Sequence, residues 1–213
     1  MNCSPRSGSR LRSYALCGMI APAFFAFMVL LEGIVVPGFS QVSQHISDLG
    51  AYSLYGSYAI LQNVNFWVFG LLVVAFALGL RQGFPNSRAV PASLALFGAM
   101  VFSAGVFPDM PLPFPGLAHN AVSALAFIAV ILCQFLTWNR LRHVDAEGER
   151  AWGRYRTYSL VSGILSIVLL IDPPESFAGV LITGVKQKAF LLIPWSWVEV
   201  MALRLMRLSE VQR

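Results

Sequence analysis

Six long apolar runs, separated by short polar intervals, dominate the hydrophobic pattern of the chain. A membrane-spanning helix needs about 20 mostly apolar residues. By this measure the predicted spans are 13–36, 57–80, 89–107, 119–138, 155–171 and 189–203. The pattern predicts an all-α polytopic membrane protein with six transmembrane helices. A basic N-terminal segment at 1–12 would precede the six-helix domain at 13–207, and a tail at 208–213 would follow it.

The first run has an alternative interpretation as a secretory signal peptide. Arginines precede it, and Ala21-Pro22-Ala23 is similar to a cleavage site. The apolar residues continue to Leu31, however, which is too far for the apolar region of a signal peptide. We therefore expect an uncleaved first span.

Composition and charge support a membrane protein and predict its orientation. Only 12% of residues are charged and 57% are hydrophobic, whereas about a quarter of the residues in soluble domains are charged. In the six-span topology every arginine falls on one side, and the other side has only Lys186 and Lys188. The positive-inside rule then makes both termini cytoplasmic. The basic residues form no continuous face, so the net charge of +5 does not predict a nucleic-acid partner.

The polar stretch between the first two runs, residues 40–52, is predicted to be a short amphipathic helix. At helical spacing one face carries Phe39, Val42, Ile46 and Leu49, and the other carries Gln41, His45 and Asp48. Gly50 stands where such a helix would end. We expect this helix to lie flat at the membrane surface with its carboxylate and imidazole turned inward.

Other polar groups are predicted to gather beside this stretch on the non-cytoplasmic side. Asp109 follows the third span, and His119 opens the fourth, with a proline-rich connection at 108–118 between them. Asp48, Asp109 and His119, with His45 as a fourth group, would then converge. Two carboxylates with imidazoles suit a divalent metal or general acid–base chemistry. Alternatively, the carboxylates only accept hydrogen bonds from loop amides and the imidazoles are solvated.

These residues also carry a resemblance to a known family. The motifs are Ile46-Ser47-Asp48-Leu49-Gly50-Ala51, Phe107-Pro108-Asp109, His119-Asn120, Asn63 with Gly70, and Gly184-Val185-Lys186-Gln187-Lys188. Together they resemble the six-span prokaryotic family catalogued as domain of unknown function 998. The first motif is also similar, more distantly, to one in the Frag1/DRAM/Sfk1 membrane proteins. The resemblance implies a multi-pass protein of a prokaryotic cytoplasmic membrane, and it implies no particular reaction.

Two polar or small-residue features lie inside the predicted spans. Glu199 is near the middle of the sixth span, where an ionisable group costs about 2.5–3.5 kcal/mol to insert. It is predicted to be neutral or to face Gln62, Asn63 and Asn65 of the second span, either as a proton-carrying or substrate-binding acid or as a structural group. In the third span, small residues including Gly98 and Gly105 predict close helix packing.

Two functions from different classes stay open. The first is binding or movement of a lipid or small amphiphile in an outer polar pocket, with membrane lipids as partners. The second is a membrane-embedded hydrolase using Asp48, Asp109 and His119 around a metal. The predicted binding residues are Ser47, Asp48, Asn63, Asp109, His119, Asn120 and Glu199. No haem is expected, because no histidine pair lies within the spans. The sequence does not define the oligomeric state.

Overall fold

The computed structural model describes residues 5–84, 87–109, 115–143, 146–171, 176–177 and 179–211. Its helices are α1 Pro5–Val35, α2 Tyr52–Tyr55, α3 Ala59–Gly83, α4 Ala89–Val106, α5 Pro115–Leu141, α6 Ala146–Leu170 and α7 Thr183–Val211. Short 3-10 turns at Ser47–Gly50 and Gly56–Tyr58 flank α2. A two-stranded antiparallel hairpin, Ser176–Phe177 with Val180–Leu181, lies between α6 and α7.

Hydropathy located the long helices correctly. Among the described residues, five are long and apolar enough to cross a membrane: Gly8–Val35, Tyr52–Gly83, Ala89–Val106, Gly116–Leu141 and Thr183–Glu210. They coincide with five of the predicted spans, so the chain is an essentially all-helical integral membrane protein. Helix α6 covers the predicted fifth span but is not among the five, because Arg154, Arg156 and their polar neighbours lower its mean hydropathy. The six-span count therefore stays a prediction.

The six long helices form a closed ring. Each packs on the next, in the order α1, α3, α4, α5, α6 and α7, and α7 packs back on α1. Tyr14 near the start of α1 and Leu205 near the end of α7 both face Gly79 of α3, so the start of α1 and the end of α7 lie at one end of the ring. We call this the arginine end, since Arg81 and Arg88 lie there. The opposite end, with residues 36–51 and the α4–α5 and α6–α7 connections, is the loop end.

Small residues bring α3 and α4 into backbone contact, as predicted for Gly98 and Gly105. A Cβ atom on Gly70 would lie only 2.5 Å from the carbonyl oxygen of Gly98. A Cβ atom on Gly105 would lie 2.6 Å from the carbonyl oxygen of Asn63. Absence of a side chain at these positions is what permits the close approach.

The amphipathic helix predicted for residues 40–52 is wrong. Turns and irregular backbone continue to Ile46, and only the 3-10 turn Ser47–Gly50 and the start of α2 are helical. Ile46 and Leu49 are buried as expected, but Val42 is exposed. The reason is that other partners compete for the hydrogen bonds a helix would need. Ser40 N–H donates to the side-chain oxygen Oε1 of Gln44, and the carbonyl oxygens of Gln41 and Val42 accept hydrogen bonds from α7.

The proline-rich connection predicted at 108–118 is described only in part. Residues 110–114 lie outside the described residues, and α5 already begins at Pro115.

Candidate functional site

A cavity of about 260 Å³ lies between the helices at the loop end. Aromatic side chains form its apolar floor: Phe25, Phe66, Phe69, Phe97 and Trp195. Polar side chains form its rim: His45, Ser47, Asp109, His119, Asn120, Ser123 and Gln187. The floor is continuous, because the ring of Phe25 lies 5.2 Å from that of Phe69 and 4.7 Å from that of Trp195, measured between centroids. The cavity therefore has one apolar and one polar half.

His119 is fixed by the end of α4. Its Nδ1 lies 2.8 Å from the carbonyl oxygen of Phe107 and 3.2 Å from that of Ala104. Because both partners are acceptors, Nδ1 carries the hydrogen and donates it. Ala104 needs this donor, since the residue four positions later, Pro108, has no backbone N–H. The side chain is only 3% exposed, and Nε2 is the ring nitrogen left for a ligand in the cavity.

Two carboxyl groups stand near this imidazole, as predicted. Asp109 is half-buried, lines the cavity and makes no hydrogen bond within the described part of the chain. Asp48 does not line the cavity, and its Oδ2 accepts a hydrogen bond of 2.9 Å from the backbone N–H of His45. Asp48 nevertheless lies close enough to Asp109 and His119 to interact with both electrostatically. The three predicted residues are therefore neighbours at the loop end.

Burial governs the electrostatics of Asp48. Removal from water raises the pKa of its carboxyl group above the usual value for aspartate. The His45 N–H bond and positive charge on His45 or His119 lower this pKa, whereas the Asp109 carboxylate raises it. The net direction is upward, so Asp48 accepts a proton more readily than an exposed aspartate.

Side chains of α7 hold residues 36–51 over the cavity. Gln187 accepts a hydrogen bond from the backbone N–H of Ile46 through Oε1, while the rest of its side chain lines the cavity. Lys188 Nζ donates to the carbonyl oxygen of Gln41 at 2.7 Å. Asn63 of α3 supports the same segment by donating to the carbonyl oxygen of Gly50 at 3.1 Å.

The first turn of α7 also contacts the segment through its backbone. Val185 N–H donates to the carbonyl oxygen of Val42 at 3.2 Å, and the Thr183 hydroxyl donates to that of Ser43. Gly184 lies so close that a Cβ atom there would be 2.2 Å from the carbonyl oxygen of Gln44. The position of residues 41–46 thus depends on a glycine in α7.

Besides Asp48, two predicted binding residues lie outside the cavity. Asn63 is buried and supports the loop from beneath, as described above. Glu199 lies one helical turn beyond Trp195, is half-buried, and has no hydrogen-bond partner within the described residues. The partners predicted for it are engaged elsewhere: Asn65 donates to the Phe25 carbonyl oxygen and to Gln62 Oε1.

The metal site predicted from His45, Asp48, Asp109 and His119 is not assembled. Within the described residues, no group of three or more His, Cys, Asp or Glu side chains could hold a metal ion. His119 also has its Nδ1 committed to carbonyl oxygens. A metal-dependent hydrolase stays a prediction that no contact of these side chains supports.

Sequence reasoning assigned no role to several groups that shape this region. Gln187 appeared only within the resemblance motif, and Lys188 only there and in the distribution of charge, although polar residues at the start of a span are a signal for contacts at the membrane surface. Trp195 forms part of the cavity floor. Glu32, an ionisable residue inside the first predicted span, is completely buried and was detectable by the same argument that selected Glu199.

Comparison with known proteins places the chain in a family. The family model described as protein of unknown function (DUF998) matches residues 19–204, and the chain therefore belongs to this family. This match includes α3, α4, α5 and α6 in full, the larger part of α1 and α7, and every residue that lines the cavity. No curated protein and no solved structure matches the chain.

Proposed function

We propose that this member of the DUF998 family binds a small amphiphile, or one chain of a lipid, in the cavity at the loop end. The observation that carries the proposal is the division of one cavity into an aromatic floor and a polar rim. Binding sites for small molecules are largely apolar, with a few polar groups that orient the ligand. Asp109, His119 Nε2 and Asn120 supply these groups here, while the floor takes the apolar portion.

The size of the cavity limits what it accommodates. Its volume of about 260 Å³ lies just below the roughly 300–1,000 Å³ of typical small-molecule sites. That is enough for a short-chain amphiphile or the end of one acyl chain, and too little for a whole phospholipid. We therefore expect a compact ligand, or a lipid whose remaining chains stay in the bilayer.

A second cavity supports access from the membrane. It has a volume of about 190 Å³ and shares His45, Phe127 and Gln187 with the first. Its other walls include Leu169 and Leu170 of α6, of which Leu170 is exposed on the bundle surface. A chain too long for the first cavity would leave by this route between α5 and the α6–α7 pair.

The proposal includes six spans with both termini cytoplasmic, in a prokaryotic inner membrane. Helix α6 follows α7 over its whole length, which supports the sixth span. Near the arginine end, Trp152 packs on Phe84 at 4.9 Å between centroids, and the guanidinium of Arg204 lies 5.2 Å from the Trp152 ring. At the other end, Leu170 and Thr183 line the same cavity. If α7 crosses the bilayer, α6 crosses with it.

Fluorescence quenching by a brominated amphiphile tests the binding site. The probe is decanol brominated at its terminal carbon, added to protein in nanodiscs. Trp195 lies on the cavity floor, so the probe should quench the wild type and quench the Trp195→Phe variant clearly less. Equal quenching of the two proteins would contradict binding at this floor.

A matched pair of substitutions on α5 separates the cavity from the surrounding membrane. Ser123 lines the cavity, whereas its neighbour Ala124 is exposed. Ser123→Phe should fill the cavity and reduce saturable quenching of Trp195, and Ala124→Phe should leave it unchanged. Phenylalanine is used because it adds no tryptophan signal. Equal loss in both variants would show that quenching arises from probe dissolved in the bilayer.

Cysteine labelling tests the topology. In a background without the native cysteines, Val42→Cys at the loop end and His143→Cys in the α5–α6 connection are both exposed positions. An impermeant maleimide applied to intact cells should label only the first. Labelling of both from the same side would overturn the six-span topology.

A further inference from the structure

Glu32 is a buried carboxyl group that the proposed function does not use. It is 0% exposed, and neither carboxyl oxygen has a hydrogen-bond partner among the described residues. It ends the buried stripe of α1, seven residues after Phe25 on the same helical face. An ionised carboxylate buried without a partner is strongly destabilising. Either a partner in the surroundings or a bound proton must therefore compensate the charge of Glu32.

The packing register of α1 and α3 identifies the neighbour of Glu32. Phe25 contacts Phe69 across this antiparallel pair, and Gly18 contacts Phe76. Moving one residue toward the loop end on α1 therefore corresponds to moving one residue toward the N-terminus of α3. Seven residues beyond Phe25 is Glu32, and seven residues before Phe69 is Gln62. Side chains lean toward the N-terminus of their own helix. The Glu32 side chain therefore leans back along α1, from the level of Gln62 toward that of Asn65.

The polar atoms at this level are out of balance. Gln62 and Asn65 are both fully buried, and Asn65 Nδ2 donates to Gln62 Oε1 at 3.1 Å. This leaves Gln62 Nε2 without an acceptor and Asn65 Oδ1 without a donor. With the two oxygens of Glu32 there are three unpartnered acceptors and one unpartnered amide donor. Acceptors in excess require an added donor.

We infer that Glu32, Gln62 and Asn65 form a proton-binding site inside the bundle. One proton on Glu32 turns one carboxyl oxygen into a donor toward Asn65 Oδ1, while the other oxygen accepts from Gln62 Nε2. The proton thereby satisfies all the unpartnered atoms of the three side chains. Neither Glu32 nor Gln62 lines the cavity, so this site goes beyond the proposed ligand site.

Charged groups on the elements around Glu32 do not replace the proton. On α7, Lys188 is level with Glu32, seven residues before the Trp195 that contacts Phe25. Its Nζ instead donates to the carbonyl oxygens of Gln41 and Gly184. In residues 36–51 the ionisable groups are His45 and Asp48, and Asp48 Oδ2 accepts a hydrogen bond from the backbone N–H of His45. Just before α3 the nearest is Tyr58 of the 3-10 turn Gly56–Tyr58, which is exposed. Within the described residues, no cation pairs with Glu32.

Infrared spectroscopy at neutral pH tests the site, because a protonated carboxyl group has its own carbonyl stretching band. The wild type in nanodiscs should show this band, and the Glu32→Gln variant should lose that intensity. Glu199→Gln is the matched control, since Glu199 is the other glutamate inside a predicted span, and it should keep the Glu32 component. An identical band in the wild type and Glu32→Gln would overturn the inference.

Two further variants keep the test decisive. Glu32→Asp retains the carboxyl group in a changed setting and should shift the band rather than remove it, which serves if Glu32→Gln does not fold. Glu32→Gln should lower the thermal midpoint less than Glu32→Ala does, because glutamine still offers one acceptor and one donor to Gln62 and Asn65. If Glu32→Gln is as destabilised as Glu32→Ala and no Glu32 band exists, Glu32 is ionised and the site is not a proton site.

Discussion

The α3–α4 contact and the cavity at the loop end are built from opposite kinds of residues. At the first, Gly70 and Gly98 remove side chains, and the two backbones meet. At the second, bulky rings such as Phe69 and Trp195 meet below a polar segment that spans the opening, and about 260 Å³ is left open. Close packing thus comes from small residues, and space comes from large residues and a loop that α7 holds in place.

The two regions are therefore expected to differ in how well they tolerate amino-acid substitutions. The glycine contact between α3 and α4 cannot adjust to an added side chain, because the nearest obstructing atoms belong to the backbones of two packed helices. The loop over the cavity is held by separate hydrogen bonds from Gln187, Lys188 and the first turn of α7. A single substitution removes only one or two of these bonds. We therefore expect substitutions in the loop to lower stability in small increments, and substitutions at the α3–α4 glycine contact to lower it strongly.

The largest effect is expected for Gly70→Ala. The added Cβ atom would lie 2.5 Å from the Gly98 carbonyl oxygen, so α3 and α4 must separate. We expect the free energy of unfolding to fall by about 3 kcal/mol, at the upper end for overpacking. Denaturant unfolding in detergent measures it. In the control Gly163→Ala, the Cβ atom would face only the Phe135 ring at 3.0 Å, and a loss as large there would remove the distinction between backbone and side-chain obstruction.

A smaller loss, confined to the loop end, is expected for Gly184→Ala. Its Cβ atom would lie 2.2 Å from the Gln44 carbonyl oxygen and so push residues 41–46 away from α7. The loss of two hydrogen bonds, at about 1 kcal/mol each, predicts destabilisation of about 2 kcal/mol. Hydrogen exchange should show faster exchange in residues 40–50 with little change in α3 and α4. Val185→Ala, which keeps its backbone bond to Val42, is the control; uniform faster exchange across the bundle in Gly184→Ala would contradict local displacement.

Two substitutions of His119 distinguish its contribution to stability from its contribution to ligand binding. His119→Leu leaves the carbonyl oxygens of Ala104 and Phe107, the first of them buried, without their donor and should cost about 1–2 kcal/mol of stability. His119→Asn places an amide nitrogen where Nδ1 was, so it should recover much of this stability while lacking Nε2. Thermal unfolding and the bromodecanol assay together should then find a stable variant with weakened binding. Normal binding by His119→Asn would exclude Nε2 as a ligand contact.

The smallest effect concerns the pH dependence contributed by Asp48. Its folded-state pKa is raised, mainly by burial. A raised carboxyl pKa means that the folded protein holds a proton that the unfolded chain has already lost, so stability falls as pH rises from the unfolded value, about 3.9, through the folded value. Asp48→Asn removes this dependence and still accepts the His45 N–H. The thermal midpoint of the wild type should therefore fall relative to that of Asp48→Asn as pH rises; a relative rise would mean that the folded-state pKa is lowered instead.

The sequence by itself located the long helices and brought Asp109 close to His119. Hydropathy and helical length are properties of each segment, so five spans follow from residue order alone. Asp109 and His119 flank one short connection, and that connection keeps them together whatever the rest of the chain does. The glycines of α4 were also recognisable, because a small residue on a packed helix has few other uses.

Only the tertiary structure decided how residues 40–52 fold. Their amphipathic pattern favours a helix, but a helix needs its own carbonyl oxygens for internal hydrogen bonds. Here Gln41, Val42 and Ser43 give theirs to α7, whose contributing residues lie about 140 positions later in the chain. No local pattern contains that information. The same reason explains the roles of Gln187 and Lys188, and the position of Glu32 opposite Gln62, which depends on how α1 and α3 are aligned.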